Sequence, residues 1–291
     1  MRLVHLTGLL ALLAGCGQKP SVPQNETSLN CSAVSTPTGI GFANDLYTAL
    51  GSSSYKKDDD NALSEFYDQT KDYVSLVSLV VNTFPDVIST KHNNLFCEAK
   101  NLAVTLNSQG SFEKDVIEAA YKEVAFWVSR DSISLADHYL TFGNKVAEQS
   151  AVDTNLYAGS VVEAAYNKAA FWVDRDSISL ADPYLTFGNK VAEQSAVDTN
   201  LYAGSVVEAA YNKAAFWVDR GSTGLADPYL AFGNKVAEQS KVDTNLYAGP
   251  VVEAACKKVA FWVDNKSPTL VDGYLTYAAT VAQENKSTVC Q

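Results

Sequence analysis

Four tryptophans recur at a fixed interval, and this periodicity constrains the fold more than any other feature of the chain. Trp127, Trp172, Trp217 and Trp262 are each separated by 45 residues. The two middle copies, residues 156–200 and 201–245, differ at only five of 45 positions. A repeat of this length indicates an array of small supersecondary units, because each unit buries its apolar face only by stacking on its neighbours.

Each copy contains two helical patterns. In the copy that holds Trp172, the first predicted helix begins at Ser160, which with Glu163 fits a capping box, and its apolar stripe includes Tyr166. The second predicted helix has Asp182 as its cap and Pro183 in its first turn. Two helices joined by a short charged turn predict an antiparallel hairpin.

The second helix carries Gly188 in its interior, where glycine costs about 1 kcal/mol relative to alanine. The fourth copy has Ala278 at the same position, so the requirement is for a small residue where two helices approach closely. The sequence therefore predicts an all-α solenoid of stacked antiparallel helical hairpins with a 45-residue repeat. In architecture it resembles the tetratricopeptide and HEAT-type solenoids, and the resemblance is limited to that principle of construction.

The chain divides into four parts on this interpretation. Residues 111–291 hold the four tandem hairpins, and residues 60–110 form a diverged first hairpin with helical patterns over 62–84 and 95–106. Terminal units of a stacked array are commonly atypical, because one face lacks a neighbour. Residues 16–59 contain three prolines and a Gly-Ser run, which predict a flexible tether.

The first residues, MRLVHLTGLLALLAGC, have one positive charge, a short apolar run and small residues before Cys16. This layout is typical of a secretory signal, and the run is shorter than the ~20 residues of a spanning helix. Leu13-Ala14-Gly15-Cys16 resembles the lipobox of bacterial lipoproteins. The resemblance implies removal of residues 1–15 as a signal peptide and acylation of Cys16. An ordinary secretory signal that contains a cysteine is the alternative.

Acylation would make the membrane a partner through Cys16 and place the protein in the bacterial cell envelope. Gly17 after the lipidated cysteine is compatible with the outer membrane. The chain has 33 acidic and 22 basic residues and a formal net charge of −11. Such a surface repels nucleic acid and anionic headgroups, so we expect no nucleic-acid partner and attachment through the lipid alone.

Four cysteines remain after Cys16: Cys31, Cys97, Cys256 and Cys290. An even number in an exported chain suggests two disulfides, for which three pairings exist. Pairing Cys31 with Cys97 and Cys256 with Cys290 is favoured because each pair would fasten one end of the chain. Zinc is the weaker interpretation, since no pair has C-x-x-C spacing.

The sequence offers little for catalysis. His5 lies in the predicted signal segment, His92 lies in a predicted loop, and His138 is replaced by proline in the next two copies. No nucleophile, metal or cofactor motif accompanies them, so the expectation is a protein that is not an enzyme and has no metal or cofactor.

A phenylalanine precedes each tryptophan, on the side of the helix opposite the apolar stripe: Phe126, Phe171, Phe216 and Phe261. These rings either pack against the adjoining unit or form an exposed row that binds a peptide or a partner helix. The leading hypothesis is a lipid-anchored scaffold or spacer that binds an unidentified protein. The alternatives are a surface-exposed adhesin or host-contact lipoprotein, and an envelope enzyme or inhibitor with an unrecognised site.

Overall fold

The computed structural model describes residues 31–51, 62–87, 93–107, 111–285 and 290, and within them every regular element is helical. Cys16, the predicted signal segment and His92 lie outside the described residues. After a 3-10 turn at Cys31–Ala33, the helices are α1 (Gly39–Leu50), α2 (Ala62–Gln69), α3 (Tyr73–Val87), α4 (Asn93–Leu106), α5 (Phe112–Ser129), α6 (Ile133–Ser150), α7 (Asn155–Asp174), α8 (Ile178–Gln194), α9 (Asn200–Asp219), α10 (Thr223–Ser240), α11 (Asn245–Asp264) and α12 (Pro268–Glu284).

The last eight helices form four hairpins, and the predicted all-α solenoid is confirmed. The first helices of the hairpins, which we call the A helices, are α5, α7, α9 and α11, and they pack side by side. Each second helix, or B helix, packs on the A helix of its own unit: α6, α8, α10 and α12. The starts of adjacent A helices meet, since a Cβ added to Gly159 on α7 would lie 3.0 Å from the hydroxyl oxygen of Tyr202 on α9. The A helices therefore run parallel in one layer.

The A helices begin earlier than the sequence predicts. Ser160 does not cap α7, because its hydroxyl donates to the carbonyl of Tyr157 within a helix that begins at Asn155. The start is fixed instead by Asp153, whose carboxylate accepts a hydrogen bond from the backbone N–H of Asn155 at 2.9 Å. The same turn precedes α9 and α11, so the predicted start was wrong by five residues in each of these copies.

The B helices also begin one turn before the predicted start. Helix α8 starts at Ile178, with Ser177 at its N-cap position, and Asp182 is therefore no cap. Pro183 lies inside the helix. The extra turn places Ile178 against the core, and α10 begins at the equivalent Thr223 with Pro228 inside it, so both helices continue through a proline that cannot donate a backbone hydrogen bond.

The small residue inside each B helix marks a close approach, as the sequence predicts. A Cβ added to Gly188 would lie 3.1 Å from both the Cβ of Ala165 and the ring of Tyr166. Gly143 and Gly233 meet a tyrosine of their own A helix in the same way. In the last unit, Ala278 replaces this glycine where a cysteine replaces the tyrosine, so the two positions change together.

These tyrosines connect the units as well as filling the core. The hydroxyl of Tyr166 donates to Asn189 of its own unit and lies 3.4 Å from Ser240 of the next. Tyr211 likewise lies 2.8 Å from Asn285. The buried serine and asparagine that end the B helices are therefore satisfied across unit boundaries, as buried polar groups require.

The N-terminal region departs from the predicted domains. The tether predicted for residues 16–59 is wrong over α1, because Phe42 and Leu46 of that helix are fully buried in the core. Residues 60–110 do not form a simple hairpin, since the predicted first helix divides into α2 and α3. The division occurs where Asp72 accepts a hydrogen bond from the backbone N–H of Ser75 and caps α3.

The resulting four-helix cap is tied to the first hairpin by polar contacts. The hydroxyl of Tyr73 on α3 donates to Asp115 on α5 at 2.5 Å. Lys100 on α4 forms an ion pair with Glu113, also on α5. The cap therefore covers the face of the first unit that lacks a preceding hairpin.

Candidate interaction surface

The phenylalanine row is exposed. Each ring lies near the C-terminal end of an A helix and retains between 38% and 52% of its accessible surface: Phe126, Phe171, Phe216 and Phe261. The covered part of each ring includes an edge contact with the tryptophan that follows it, at centroid distances of 4.8–5.2 Å. The structure therefore has a partly exposed row of rings, one of the two arrangements that the sequence allows.

Cations of the same unit cover the faces of these rings. The guanidinium of Arg175 lies 4.4 Å from the ring centroid of Phe171, and the ammonium of Lys168 lies 4.7 Å from it. The ring also makes an edge contact with Trp172, at a centroid distance of 5.2 Å. Cation–π contacts of this kind hold a partly exposed ring in one orientation. The first three units thus present an aromatic ring together with an arginine, and the fourth presents Phe261 with Lys258.

The carboxylate of Asp131 connects the first unit to the second. Asp131 lies in the turn between α5 and α6, and its carboxylate is 2.8 Å from the ammonium of Lys168, 3.2 Å from the indole nitrogen of Trp172 and 2.9 Å from the hydroxyl of Tyr184. Burial opposes ionisation, but hydrogen bonds from Lys168 and Tyr184 lower the pKa of Asp131. Burial and the hydrogen bond to Asp131 raise the pKa of Tyr184 to about 12.

This connection weakens along the array. Asp176 holds the second unit to the third, with Tyr229 at 3.2 Å and Lys213 at 3.4 Å. The third unit has Gly221 at the same position. The indole N–H groups of Trp217 and Trp262 are both buried without an acceptor, so the indole bond to the carboxylate is present only at Trp172 among the described residues. The junction between the third and fourth units therefore lacks the carboxylate that stabilises the earlier junctions.

A second set of ion pairs connects consecutive B helices and shows the same gradient. Lys190 pairs with Asp137 at 2.5 Å, and Lys235 pairs with Asp182 at 3.1 Å. The fourth unit has Thr280 where these lysines stand. Both polar connections are thus absent from the last junction within the described residues.

The four remaining cysteines form two disulfides. Cys31 bonds to Cys97, and Cys256 bonds to Cys290, which are the two pairs that their positions along the chain favour. Cys256 stands where the other A helices have the tyrosine that reaches the next unit. The disulfide therefore takes the place of that contact in the last hairpin.

The remaining candidates for chemistry do not converge. His138 lies on α6, far along the chain from the cysteines, and no group of three His, Cys, Asp or Glu side chains within the described ranges is placed to hold a metal ion. The clefts are open to solvent. One of about 550 Å³ lies beside the loop before α9 and is lined by Glu193, Asp198 and Gln239 among others.

Two features of this surface are not evident from the sequence. Asp131 and Asp176 belong to the charged turns between the helices of a hairpin, and each has a positive φ of 63°. The leucines at the start of the A helices precede the predicted helix start, as Leu156 precedes Ser160. Knowledge of the true helix start would have revealed them, because Leu156 then falls on the exposed side of α7.

Comparison with protein-family models, curated proteins and solved structures gives no match to this chain. Among the helices that the structure describes, none combines the length and the apolar character needed to cross a bilayer.

Proposed function

We propose that this protein is a non-catalytic, lipid-anchored component of the bacterial cell envelope, and that it acts as a scaffold or spacer that binds another protein through its helical repeats. The observation that carries the proposal is the phenylalanine row, which repeats once per unit and leaves each ring 38–52% exposed. Single exposed apolar side chains are ordinary, but four aromatic rings at equivalent positions on adjacent helices form a regular row that a partner can contact.

The chemistry of the row favours a protein partner. Each ring is accompanied by an arginine or lysine, and aromatic residues with arginine dominate the binding energy of protein interfaces. The stacked side chains are ordered before binding, so less conformational entropy is lost on association. Because adjacent packed helices are ~8–10 Å apart, four rings extend over roughly 25–30 Å, the length of a standard interface.

The partner-binding role is tested by cross-linking in native cell envelopes. The full chain is compared with a variant in which Phe126, Phe171, Phe216 and Phe261 are all changed to Ser. A matched control changes four leucines of similar exposure on the B helices: Leu135, Leu180, Leu225 and Leu270. We expect the phenylalanine variant alone to lose a specific cross-linked partner while it keeps its helicity. Equal cross-linking by all three proteins would contradict a role for the row.

The lipid anchor is tested independently of the repeats. In the full chain, Cys16→Ser should abolish incorporation of labelled fatty acid and prevent removal of the signal segment. Cys97→Ser is a control, because that thiol is committed to Cys31. Incorporation of the labelled fatty acid into the Cys16→Ser variant would refute acylation at this position.

A further inference from the structure

The exposed side of the A helices carries more than the phenylalanines. At 100° per residue, Leu156, Glu163 and Phe171 of α7 fall within one stripe about 80° wide, and all three are exposed. The leucines are the most exposed large apolar side chains of the repeats, at 84%, 76% and 75% for Leu156, Leu201 and Leu246. We call the exposed stripes of α7, α9 and α11 together the A face.

The spacing of the A face matches that of another helix. Leu156, Leu201 and Leu246 occupy equivalent positions on parallel neighbours, and packed helices are ~8–10 Å apart. One heptad of an α-helix rises ~10.5 Å, so a helix lying across the A helices places one residue per heptad against each leucine. Leu156 and Glu163 are seven residues apart, or ~10 Å along α7, which is about the diameter of a helix with its side chains.

The charge of the A face selects a cationic occupant. Glu163, Glu208, Asp174 and Asp219 are exposed and form no ion pair with any described residue. The stripes of α7 and α9 contain no lysine or arginine. The stripe of α11 contains Lys257, which pairs with Glu253 at 2.7 Å, so the acids available to a cationic partner are those of α7 and α9. Complementary charge on a partner would lower repulsion along these stripes and direct its approach.

We infer that the A face binds a basic amphipathic helix of a partner protein, which lies across α7, α9 and α11 with one apolar residue per heptad on the leucine row and lysines or arginines on the glutamate row. The inference rests on the proposed scaffold function and names the chemistry of its partner. The phenylalanine row lies at the other end of the same stripes, so it adds contacts to a partner that extends beyond this helix.

The test uses the full chain in vesicles of phosphatidylcholine and a fluorescent peptide about three heptads long, with leucine once per heptad in an alanine and lysine background. Anisotropy titration is repeated with a peptide of the same composition whose leucines are out of heptad register, and with one whose lysines are replaced by glutamate. We expect the heptad peptide to bind at least tenfold more tightly than either control, and more weakly as salt increases. Protein-free vesicles give the background from the lipid.

Three protein variants assign the contact. Changing Leu156, Leu201 and Leu246 to Ser should weaken the heptad peptide at least tenfold, and Glu163→Gln with Glu208→Gln should reduce both its affinity and its salt dependence. Changing Leu135, Leu180 and Leu225 on the B helices to Ser should have no effect. Equal affinity for the in-register and out-of-register peptides would show attraction by net charge alone and overturn the inference.

The two proposals fail separately. If the phenylalanine row captures an envelope protein while the heptad peptide shows no preference for the leucines, the scaffold stands and the basic helix is wrong. Stronger binding of the peptide to protein-free vesicles than to the protein also overturns the inference. If neither the row nor the peptide responds to its variants, both proposals are wrong.

Discussion

The carboxylate of Asp131 accepts a hydrogen bond from the indole N–H of Trp172, across the boundary between the first and second hairpins. At this junction, the tryptophan that marks the repeat in the sequence also contacts the preceding unit. The indole bond is not repeated: the indole N–H groups of Trp217, which follows Asp176, and Trp262, which follows Gly221, are both buried without a partner. The last junction also lacks the carboxylate itself, although Tyr211 still contacts Asn285 across it, so the stability of the array should be distributed unevenly.

Replacement of Asp131 by glycine should destabilise the protein by about 1–2 kcal/mol, because the indole of Trp172 and the ammonium of Lys168 lose a charged acceptor. Glycine adopts the positive φ of this position without strain, so the backbone effect of the substitution would stabilise the protein and oppose the expected loss. Denaturant unfolding measures the change. Asp174→Ala, which removes an exposed carboxylate without an ion pair, should stay within ~0.5 kcal/mol.

The effect of Asp131 should also depend on pH. Its pKa is lowered in the folded protein, so its contribution is present above the ordinary carboxylate pKa of ~3.9 and is lost as pH falls through the lower folded value. The difference between the wild type and Asp131→Gly should therefore shrink below about pH 4. A difference that is constant from pH 7 to pH 2 would contradict the assignment to the ionised carboxylate.

Gly221→Asp should stabilise the fourth unit by about 1 kcal/mol, since it supplies the missing acceptor. A Cβ at this position lies 3.5 Å from the hydroxyl oxygen of Tyr274, which is ordinary contact. The φ of Gly221 is 87°, against 63° at Asp131 and Asp176, so backbone strain offsets part of the gain. Hydrogen exchange should slow in α12. Gly221→Asn has the same shape without the charge and should gain less. Faster hydrogen exchange in α12 of the aspartate variant would count against the proposed hydrogen bond to the fourth unit.

Much of the fold was predictable because it depends on patterns within each repeat. The 45-residue spacing and the apolar periodicity of each helix specified the hairpins, and Gly188 specified where the helices touch. Helix starts were not predictable in this way. Ser160 and Glu163 match a capping box in sequence, yet the Asp153 turn and the burial of Ala158 extend the helix by a further turn.

The N-terminal helix and the candidate surface could not be predicted from the sequence, for different reasons. Residues around Gly39 and Gly41 resemble a linker in composition, but α1 is held by long-range burial of Phe42 and by the nearby disulfide of Cys31. The exposure of the phenylalanines could not be decided from one helix, because it depends on where the adjacent helix lies. Leu156 could join the same stripe only after the true start of α7 was known.

Gly188→Ala should destabilise the second unit by about 1–3 kcal/mol although alanine is the better helix former. The added methyl group would lie 3.1 Å from Ala165 and from the ring of Tyr166, which must move. Thermal unfolding measures the change. The reciprocal variant Ala278→Gly should also destabilise, by about 1 kcal/mol, because the fourth unit has no tyrosine there. A gain in stability for Gly188→Ala would disprove the close approach.

Glu98→Gln should stabilise the N-terminal cap near neutral pH. One carboxylate oxygen of Glu98 is buried without a hydrogen-bond donor, and burial together with the charge of Asp45 raises the pKa of Glu98. Folding therefore favours the protonated acid, and the wild type loses stability as pH rises from the ordinary glutamate value of ~4.3 through the higher folded value. The uncharged amide removes this loss.

The advantage of Glu98→Gln should thus be absent near pH 3, grow through that interval and remain constant at higher pH, with a size of about 1 kcal/mol set by the cost of a buried unpaired group. Thermal unfolding at a series of pH values measures it. Glu193→Gln, at an exposed glutamate without an ion pair, is the matched control and should leave the profile unchanged. If Glu98→Gln were equally stabilising at pH 3 and pH 7, the effect would come from packing and not from the charge of the carboxylate.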